Sequence, residues 1–485
     1  MRYKHLKHLI LVLCISFNAN YSFAGNEAFE SIKTVAEELN SANAQYLLAR
    51  MYELGKGTKK STKKAIKWYT ASAEQGYSKS QYKLGLISEE GLLGQRKNKK
   101  RAKFWYEKAA KQNHTDAQYR LGMLLYNGKQ YSKNNYKTAL GWCLKAAANS
   151  HIEAQAMLGN MYLEGKGIKP NPENAVIWFE QAANQGHVAS AFNLARLYEG
   201  GRGTEKNPTN ALRWYEWAAK QGHTQAQLKL AKLYQQGISV PQNNNEAIKW
   251  YKKVAKKNNT NAQYQLAMLL LERDGDKTST EAIDWLKKVA IKGRMEAQHE
   301  LAKRYQTGNG IEKNLDEAIY WHEKAAEANN VASQFELSRI YLHGNLDIRD
   351  LENGIHWLEE SAKHDVADAQ YELGMRYYKG LGVQKDPNMA FYWLQKASDN
   401  KIIKATYQIG YMYTKGIGVK KDTEQGLRLI QYAAEENLAD AQLKLAQIYE
   451  QGVIVETDLE KAQAWYLTAA ENGNVYAQER LNLKF

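Results

Sequence analysis

Scarcity sets the first limits on this chain. Its 485 residues include only two cysteines and five prolines. Two cysteines exclude a disulfide scaffold and any thiolate zinc cluster. So few prolines argue against a Pro-rich stalk, a linker-rich chain or a loop-heavy all-β protein. No stretch reaches the ~18 apolar residues that a membrane-spanning helix requires. What is present is a folded-protein composition, 44% hydrophobic and 25% charged, which a disordered chain does not have. The 34 glycines are ordinary in number, so their placement carries the information.

The one apolar run is N-terminal. Arg2, Lys4 and Lys7 precede the stretch Leu9 to Phe17, and Ser22-Phe23-Ala24 places small residues three and one before a cut. This pattern predicts a secretory signal peptide over residues 1–24, cleaved after Ala24. Cys14 follows Leu13 rather than a small residue, so lipidation is not expected. The mature chain then carries one cysteine, Cys143, and cannot form an internal disulfide.

A single repeat accounts for the rest. The pair Ala44-Gln45 recurs in register through Ala117-Gln118, Ala226-Gln227, Ala369-Gln370 and Ala441-Gln442 to Ala477-Gln478, with steps of 35 to 37 residues over twelve periods. Such phase-locking marks a repeat architecture. In each period an apolar run at helical spacing follows the pair, as at Leu48, Met51 and Tyr52. A glycine turn such as Gly55-Lys56-Gly57 or Gly416 to Gly418 then ends the first helix, where a left-handed residue is needed. Asn, Asp, Ser or Thr opens a second helix, as at Asn171-Pro172-Glu173. Eleven of the twelve tryptophans occupy one slot of that second helix, from Trp68 to Trp465, with Leu429 in the remaining repeat and Trp217 as the extra. The expectation is that tryptophan fills the layer between hairpins while the small residues allow close approach.

The predicted fold is therefore all-α, an α/α superhelical solenoid of about twelve helix–turn–helix repeats. Its boundaries are a capping segment at 25–43, repeats over 44–476 and a C-terminal capping helix at 477–485. The segment Ala154-Gln155-Ala156-Met157-Leu158-Gly159-Asn160-Met161-Tyr162-Leu163-Glu164-Gly165-Lys166-Gly167 carries the full motif. It resembles the Sel-one-like repeat, a relative of the tetratricopeptide repeat, over essentially all of residues 26–485. The resemblance implies a protein-interaction scaffold of the bacterial cell envelope, where relatives assist polysaccharide export, motor assembly, signalling or host contact. Fold alone does not select among these. The cysteine-rich branch of the family staples its repeats with disulfides; this chain must hold its layers by packing.

Candidate chemistry is sparse. His114, His151, His187 and His223 stand three residues before successive anchors, but helical layers ~8–10 Å apart are too distant for two imidazoles to share a metal at ~2 Å. They are read as turn residues, and His343, His356 and His364 show no metal spacing. Ser61-Thr62-Lys63-Lys64 and Ser398-Asp399-Asn400 match two parts of the penicilloyl-serine signature, an activity proposed for cysteine-rich relatives. The third part, K-T-G, does not follow, and the matches lie more than nine repeats apart. Neighbouring carboxylates such as Glu359-Glu360 and Glu435-Glu436 do not face each other on a helix. The Gly-x-Gly turns lack the ending of a phosphate loop. Cys143 is read as a small buried residue. No catalytic residue, metal or cofactor is expected.

Charge and exposure give the functional expectations. The chain carries a net +15, with 16 basic and 4 acidic residues from Lys56 to Lys111 but 7 basic and 16 acidic from Glu296 to Glu372. The basic end, through Lys59, Lys60, Lys63, Lys64, Lys97, Lys99, Lys100 and Arg101, is a candidate site for an anionic glycan, lipid surface or acidic protein. Nucleic acid is not expected outside the cytoplasm. The sixth residue after the anchor varies from repeat to repeat and should face a groove lined by the first helices. Arg50, Asn160, Arg196, Lys232, Lys303, Arg339 and Tyr411 are its candidates for contact with a protein partner. The leading expectation is a non-enzymatic, monomeric scaffold, exported to the periplasm or beyond. The alternatives are a rod that binds an anionic envelope polymer and a cell-wall hydrolase, for which no convergent catalytic groups are found.

Overall fold

The computed structural model describes residues 26–128, 133–275, 279–344 and 350–484. The signal-peptide expectation for residues 1–24 falls outside them. The described residues form 26 α-helices. The chain divides into two compact units, residues 1–250 and 251–485. In the first lie α1 (Asn26–Glu38), α2 (Ala42–Leu54), α3 (Thr62–Glu74), α4 (Ser78–Glu90), α5 (Lys99–Lys111), α6 (Thr115–Tyr126), α7 (Lys133–Ala148), α8 (Ile152–Glu164), α9 (Pro172–Asn184), α10 (Val188–Gly200), α11 (Pro208–Lys220) and α12 (Thr224–Gln236). The division falls inside α13 (Asn244–Ala255). In the second lie α14 (Thr260–Asp274), α15 (Thr280–Ile291), α16 (Met295–Thr307), α17 (Leu315–Glu327), α18 (Val331–His343), α19 (Leu351–Lys363), α20 (Ala367–Lys379), α21 (Pro387–Asp399), α22 (Ile403–Lys415), α23 (Thr423–Glu435), α24 (Ala439–Gln451), α25 (Leu459–Glu471) and α26 (Val475–Lys484). Even-numbered helices from α2 are the first helices of the hairpins. Each begins two residues before the sequence anchor, and α1 and α26 are unpaired end helices.

The caps explain why the helices stop and start where they do. Most first helices end on glycine at φ +64 to +79°, as at Gly55, Gly165, Gly201, Gly308, Gly380 and Gly416, while α6 ends on Asn127 and α18 on Gly344 at φ −63°. Second helices open on a side chain that accepts from the third backbone N–H, as Asn171 does from Asn174 and Asp458 from Lys461, satisfying a donor with no partner inside the helix. The second turn glycine does something different. An added Cβ at Gly203 would sit 2.3 Å from the carbonyl carbon of Pro172, and at Gly418 2.0 Å from the Pro387 oxygen. Each of these turns thus lies directly on the start of the second helix of the preceding repeat, along one edge of the stack.

The core corrects the tryptophan expectation. Only Trp105, Trp321 and Trp393 are buried; most of the others stand half-exposed at the rim of the layer. The deepest position is the next residue. Tyr69, Tyr106, Cys143, Phe179, Tyr215, Tyr251, Leu286, His322, Leu358, Leu394 and Ile430 are each 0 to 1% exposed. They meet a small residue on the first helix: an added Cβ at Gly159 would lie 2.5 Å from the Phe179 ring, at Gly122 2.5 Å from the Cys143 sulfur, and at Gly374 2.7 Å from Leu394. One helical step rotates a side chain by about 100°, so only one of two adjacent residues can point straight at the neighbouring helix.

The glutamine of the anchor is also structural. From Gln45 to Gln478, eleven of these side chains donate Nε2 to the carbonyl of an alanine near the end of the preceding helix, at 3.0 to 3.4 Å. That carbonyl belongs to a helix end, where it also accepts the backbone N–H three residues on, as Ala110 does from Asn113 and Ala434 from Asn437, so the glutamine occupies its second lone pair. In six repeats the glutamine Oε1 accepts from the residue ending its own repeat's second helix, as from Gln75, Gln112, Gln185, Lys292, Asn400 and Asn472. Where that residue supplies no donor to it (Asn149, Ala328, His364), the buried Oε1 of Gln118, Gln298 or Gln334 has no partner.

Candidate functional site

The face made by the first helices is the surface that the repeat leaves free to vary. Positions two, three, six and nine after the anchor share it, because residues three, four and seven apart lie on one side of a helix. At position six, Arg50, Arg196, Lys232, Lys303 and Arg339 are exposed, and Asn160 and Tyr411 are half-buried. Arg339 pairs with Glu336 at 3.3 Å. Tyr411 lies beneath the Lys444 ammonium, 5.8 Å from the ring centre. Two clefts open on this face. One of about 550 Å³ in the first unit includes Tyr82, Tyr119, Arg120, Met123 and His151; one of about 760 Å³ in the second includes Phe335, Tyr371, Met375, Lys404 and Leu438.

A three-residue network ties this face to the core. Tyrosine at the deepest second-helix position donates its hydroxyl to a glutamate at position nine, as Tyr106 to Glu89 at 2.7 Å, Tyr215 to Glu199 at 2.8 Å and Tyr466 to Glu450 at 2.7 Å. Tyr69 does the same to Glu53. Each glutamate is also met by a cation at position three of the following repeat: Lys83, Arg120, Lys229 and Arg480, at 2.6 to 3.4 Å. Burial and the neighbouring carboxylate push these tyrosine hydroxyls well above their ordinary range, so they remain donors. Where the deep residue is apolar, as Phe179 or Leu358, position nine holds Leu163 or Leu342. Sequence reading missed this coupling, although the paired identities at the two positions were visible.

The in-register histidines are caps rather than ligands. Nδ1 of His114, His151, His187 and His223 accepts from the N–H of Ala117, Ala154, Ser190 and Ala226 at 3.1 to 3.4 Å. Three of the rings also lie against an aromatic residue of the preceding repeat, as His114 on Tyr82 at 4.6 Å. Burial holds His114 and His187 below the usual imidazole range. They are half-buried, not surface turn residues. Among the described residues no group of three His, Cys, Asp or Glu side chains could hold a metal ion.

The other sequence candidates have structural work. Ser61 caps α3 by accepting from the Lys64 N–H. Ser398 Oγ bonds Thr406 Oγ1 at 2.7 Å, and Asn400 donates to Gln370. Glu359 accepts from Tyr377, and Glu360 pairs with Lys363. Cys143 is fully buried against Met157, and burial pushes its thiol up to about 12, which removes thiolate reactivity at neutral pH.

The basic end is a cluster of exposed, unpaired cations. Lys59, Lys60, Lys63, Lys64, Lys97, Lys99, Lys100 and Arg101 are all exposed. Among the described ion pairs none includes any of them; Lys64 lies 5.1 Å from the Tyr52 ring centre. Lys63 and Lys64 sit in the first turn of α3, and Lys99, Lys100 and Arg101 in that of α5, with no acidic residue in either turn. A cation there opposes the positive end of the helix dipole. Most other second helices carry an acid in the equivalent turn, as Glu173, Glu281, Asp316 and Glu352 do, whereas α7, α11 and α21 carry none there. Among the described residues no helix is long and apolar enough to cross a membrane.

Helical hairpins with this cap, glutamine and tryptophan grammar define the class of α/α repeat solenoids. Comparison with known proteins specifies it further. The Sel1 repeat model matches twelve consecutive segments, from residues 42–77 through 224–259 and 260–293 to 439–474. The chain belongs to the Sel1 repeat family. It is similar to the crystal structure of c5321, a protective antigen of uropathogenic Escherichia coli strains with an SLR fold. That match has 29% identity and a TM-score of 0.67, covering 94% of this chain and 97% of that one. A Sel1 repeat protein from Oxalobacter formigenes is 32% identical over 50% of this chain and 96% of its own, with a TM-score of 0.37. No protein with a curated description matches.

Proposed function

We propose that this chain is a non-catalytic scaffold that binds protein partners along the face of its first helices. The observation that carries the reading is the contrast between two sets of positions. The caps, the anchor glutamine and the deep core slot serve the stack in nearly every repeat. The position-six residues on the same helices are exposed or half-buried and change from Arg50 to Asn160 to Lys232 to Tyr411. Sel1 repeats are consistent with such a scaffold. The proposed setting is the cell envelope, reached through residues 1–24, and the description of c5321 as a protective antigen accords with export. N-terminal sequencing of the mature protein should then begin at Gly25; a cytosolic product that retains residues 1–24 contradicts it. The proposed state is a monomer.

A second reading, binding of an anionic envelope polymer, is favoured by the five cations in the first turns of α3 and α5. Charges that oppose local helix stability are expected where another function selects them. Capture from envelope extract separates the two readings. The test compares the intact chain, an Arg196→Ala/Lys232→Ala variant and a variant with Lys97, Lys99, Lys100 and Arg101 changed to Glu. A protein retained at high salt, kept by the charge-reversed variant and lost by the alanine variant, supports the scaffold. Capture of acidic glycan or lipid alone, lost at high salt and on charge reversal, supports polymer binding, because exposed ionic contacts are screened.

A further inference from the structure

Five first helices, counting α26, carry a cation at position three after the anchor: Lys83, Arg120, Lys229, Lys444 and Arg480. Four of these meet a glutamate at position nine of the preceding repeat, as described above. Lys444 does not. The preceding repeat places Thr414 at position nine and Ile430 at the deep slot, so both the carboxylate and the tyrosine that would hold it are missing. Lys444 is half-buried, and its described contact is with the Tyr411 ring. Burial and the nearby Lys415 ammonium hold it below the usual lysine range. A cation shielded from water by neighbours but given no counter-charge is unfavourable on its own.

The surroundings match a ligand that would supply the missing group. Tyr378 on α20 and Tyr407 on α22 lie near Tyr411, the ring beneath Lys444, and burial pushes the Tyr407 hydroxyl up to about 12. Further along the same helices, Tyr371, Met375 and Ile403 line the cleft of about 760 Å³. Lys379, Lys401 and Lys404 also line it and form no ion pair among the described residues. Of the acids of this region, Glu372 is engaged by Arg376 and His343 at 2.9 and 2.8 Å, while Asp440, one turn before Lys444 on α24, accepts from the neutral Asn474 amide. Asp368 and Glu436 are the remaining carboxylates on the cleft. Lysines therefore outnumber uncommitted acids on an aromatic floor.

We propose that the face of α20, α22 and α24 binds an acidic peptide segment of a protein partner, with a Glu or Asp side chain seated on Lys444. The segment's carboxylate takes the place that Glu53, Glu89, Glu199 and Glu450 hold in the other networks, and its flanking apolar side chains lie on the tyrosine and methionine floor. This inference rests on the scaffold reading and names the partner chemistry for one stretch of the face.

The test uses the full chain and a blocked peptide with a central Glu-Glu pair between Phe-Leu segments, beside the same peptide with Gln-Gln. Fluorescence anisotropy should show the Glu-Glu peptide binding about tenfold more tightly. Lys444→Met should abolish that preference and Lys444→Arg should keep it. Lys444→Glu should reverse it toward a Lys-Lys peptide. Lys288→Met, an exposed position on the second helix α15, should change nothing, and circular dichroism checks that every variant is folded. Equal affinity for the Glu-Glu and Gln-Gln peptides, a preference that survives Lys444→Met, or no binding of the Glu-Glu peptide overturns the proposal. In those cases the scaffold reading still stands or falls on its own capture experiment.

Discussion

At the scale of single residues, the same position is solved by different chemistries in different repeats, and the exceptions make predictions. His322 occupies the deep slot that holds Leu286 and Leu358 in the adjacent repeats. It is fully buried, with Nδ1 against Ser333 Oγ at 3.1 Å, Nε2 against Gln306 Oε1 at 3.3 Å and the His299 ring 5.6 Å away. Burial, with His299 beside it, holds its pKa down to about 3. The unfolded chain takes up this proton near pH 6.5 and the folded one only near pH 3, so stability falls as pH drops between those values. His322→Leu should flatten that part of the stability–pH curve, removing a contribution on the order of a few kcal/mol at its acid end. An unchanged slope in urea titrations at pH 7, 5 and 4 contradicts it. The anchor glutamines give a second case. Gln298 Oε1 is buried without a partner because Ala328 stands where Gln75, Gln112 and Gln185 donate. Ala328→Gln should raise stability by about 1 kcal/mol, read as a higher urea midpoint; no shift would mean that the acceptor is satisfied in solution.

At the scale of the element, a glycine of the turn between two repeats and the second glycine of the turn within a repeat should respond differently to substitution. Gly76 has φ +92° and open space around its missing side chain, whereas Gly418 has φ +65° and a Cβ that would collide with the Pro387 carbonyl. Gly76→Ala should cost only the backbone term, about 1 kcal/mol. Gly418→Ala should cost roughly 2–4 kcal/mol, because the turn must move off the preceding repeat. Equal losses in denaturant titrations would mean that the turns do not touch the adjacent repeat as described. This element-level grammar was largely legible in the sequence. Period, helix ends and most caps followed from spacing, because backbone geometry allows few residue types at those points, and Pro172, Pro208 and Pro387 stand as the first residues of α9, α11 and α21. The tryptophan register was legible too, but its meaning was not. Tryptophan repeats conspicuously at the rim, while the deep slot beside it alternates among Tyr, Cys, Phe, Leu, His and Ile. A slot that needs only to match the small residue and the position-nine residue opposite keeps no single identity. The cation–glutamate–tyrosine network stayed hidden for the same reason, since its members lie in two adjacent repeats and recur in only some of them.

At the scale of the whole molecule, function is the part that repetition conceals. Stacking fixes most positions on both helices, and nearest-neighbour packing of this kind stabilises the array without specifying a partner. What differs along the chain is the residue set on the first-helix face and the cationic helix starts of α3 and α5. Charge composition made the basic end visible from the sequence. The orphan ammonium of Lys444 could be recognised only after the other four networks had been seen in three dimensions. The scaffold reading is tested most directly by footprinting a captured protein on the full chain by hydrogen–deuterium exchange at high salt. Bound partner should protect α20, α22 and α24, or another run of even-numbered helices, and leave the outer second helices and the starts of α3 and α5 unchanged. Protection confined to the second helices, or to the basic edge and lost at high salt, would contradict binding along the first-helix face.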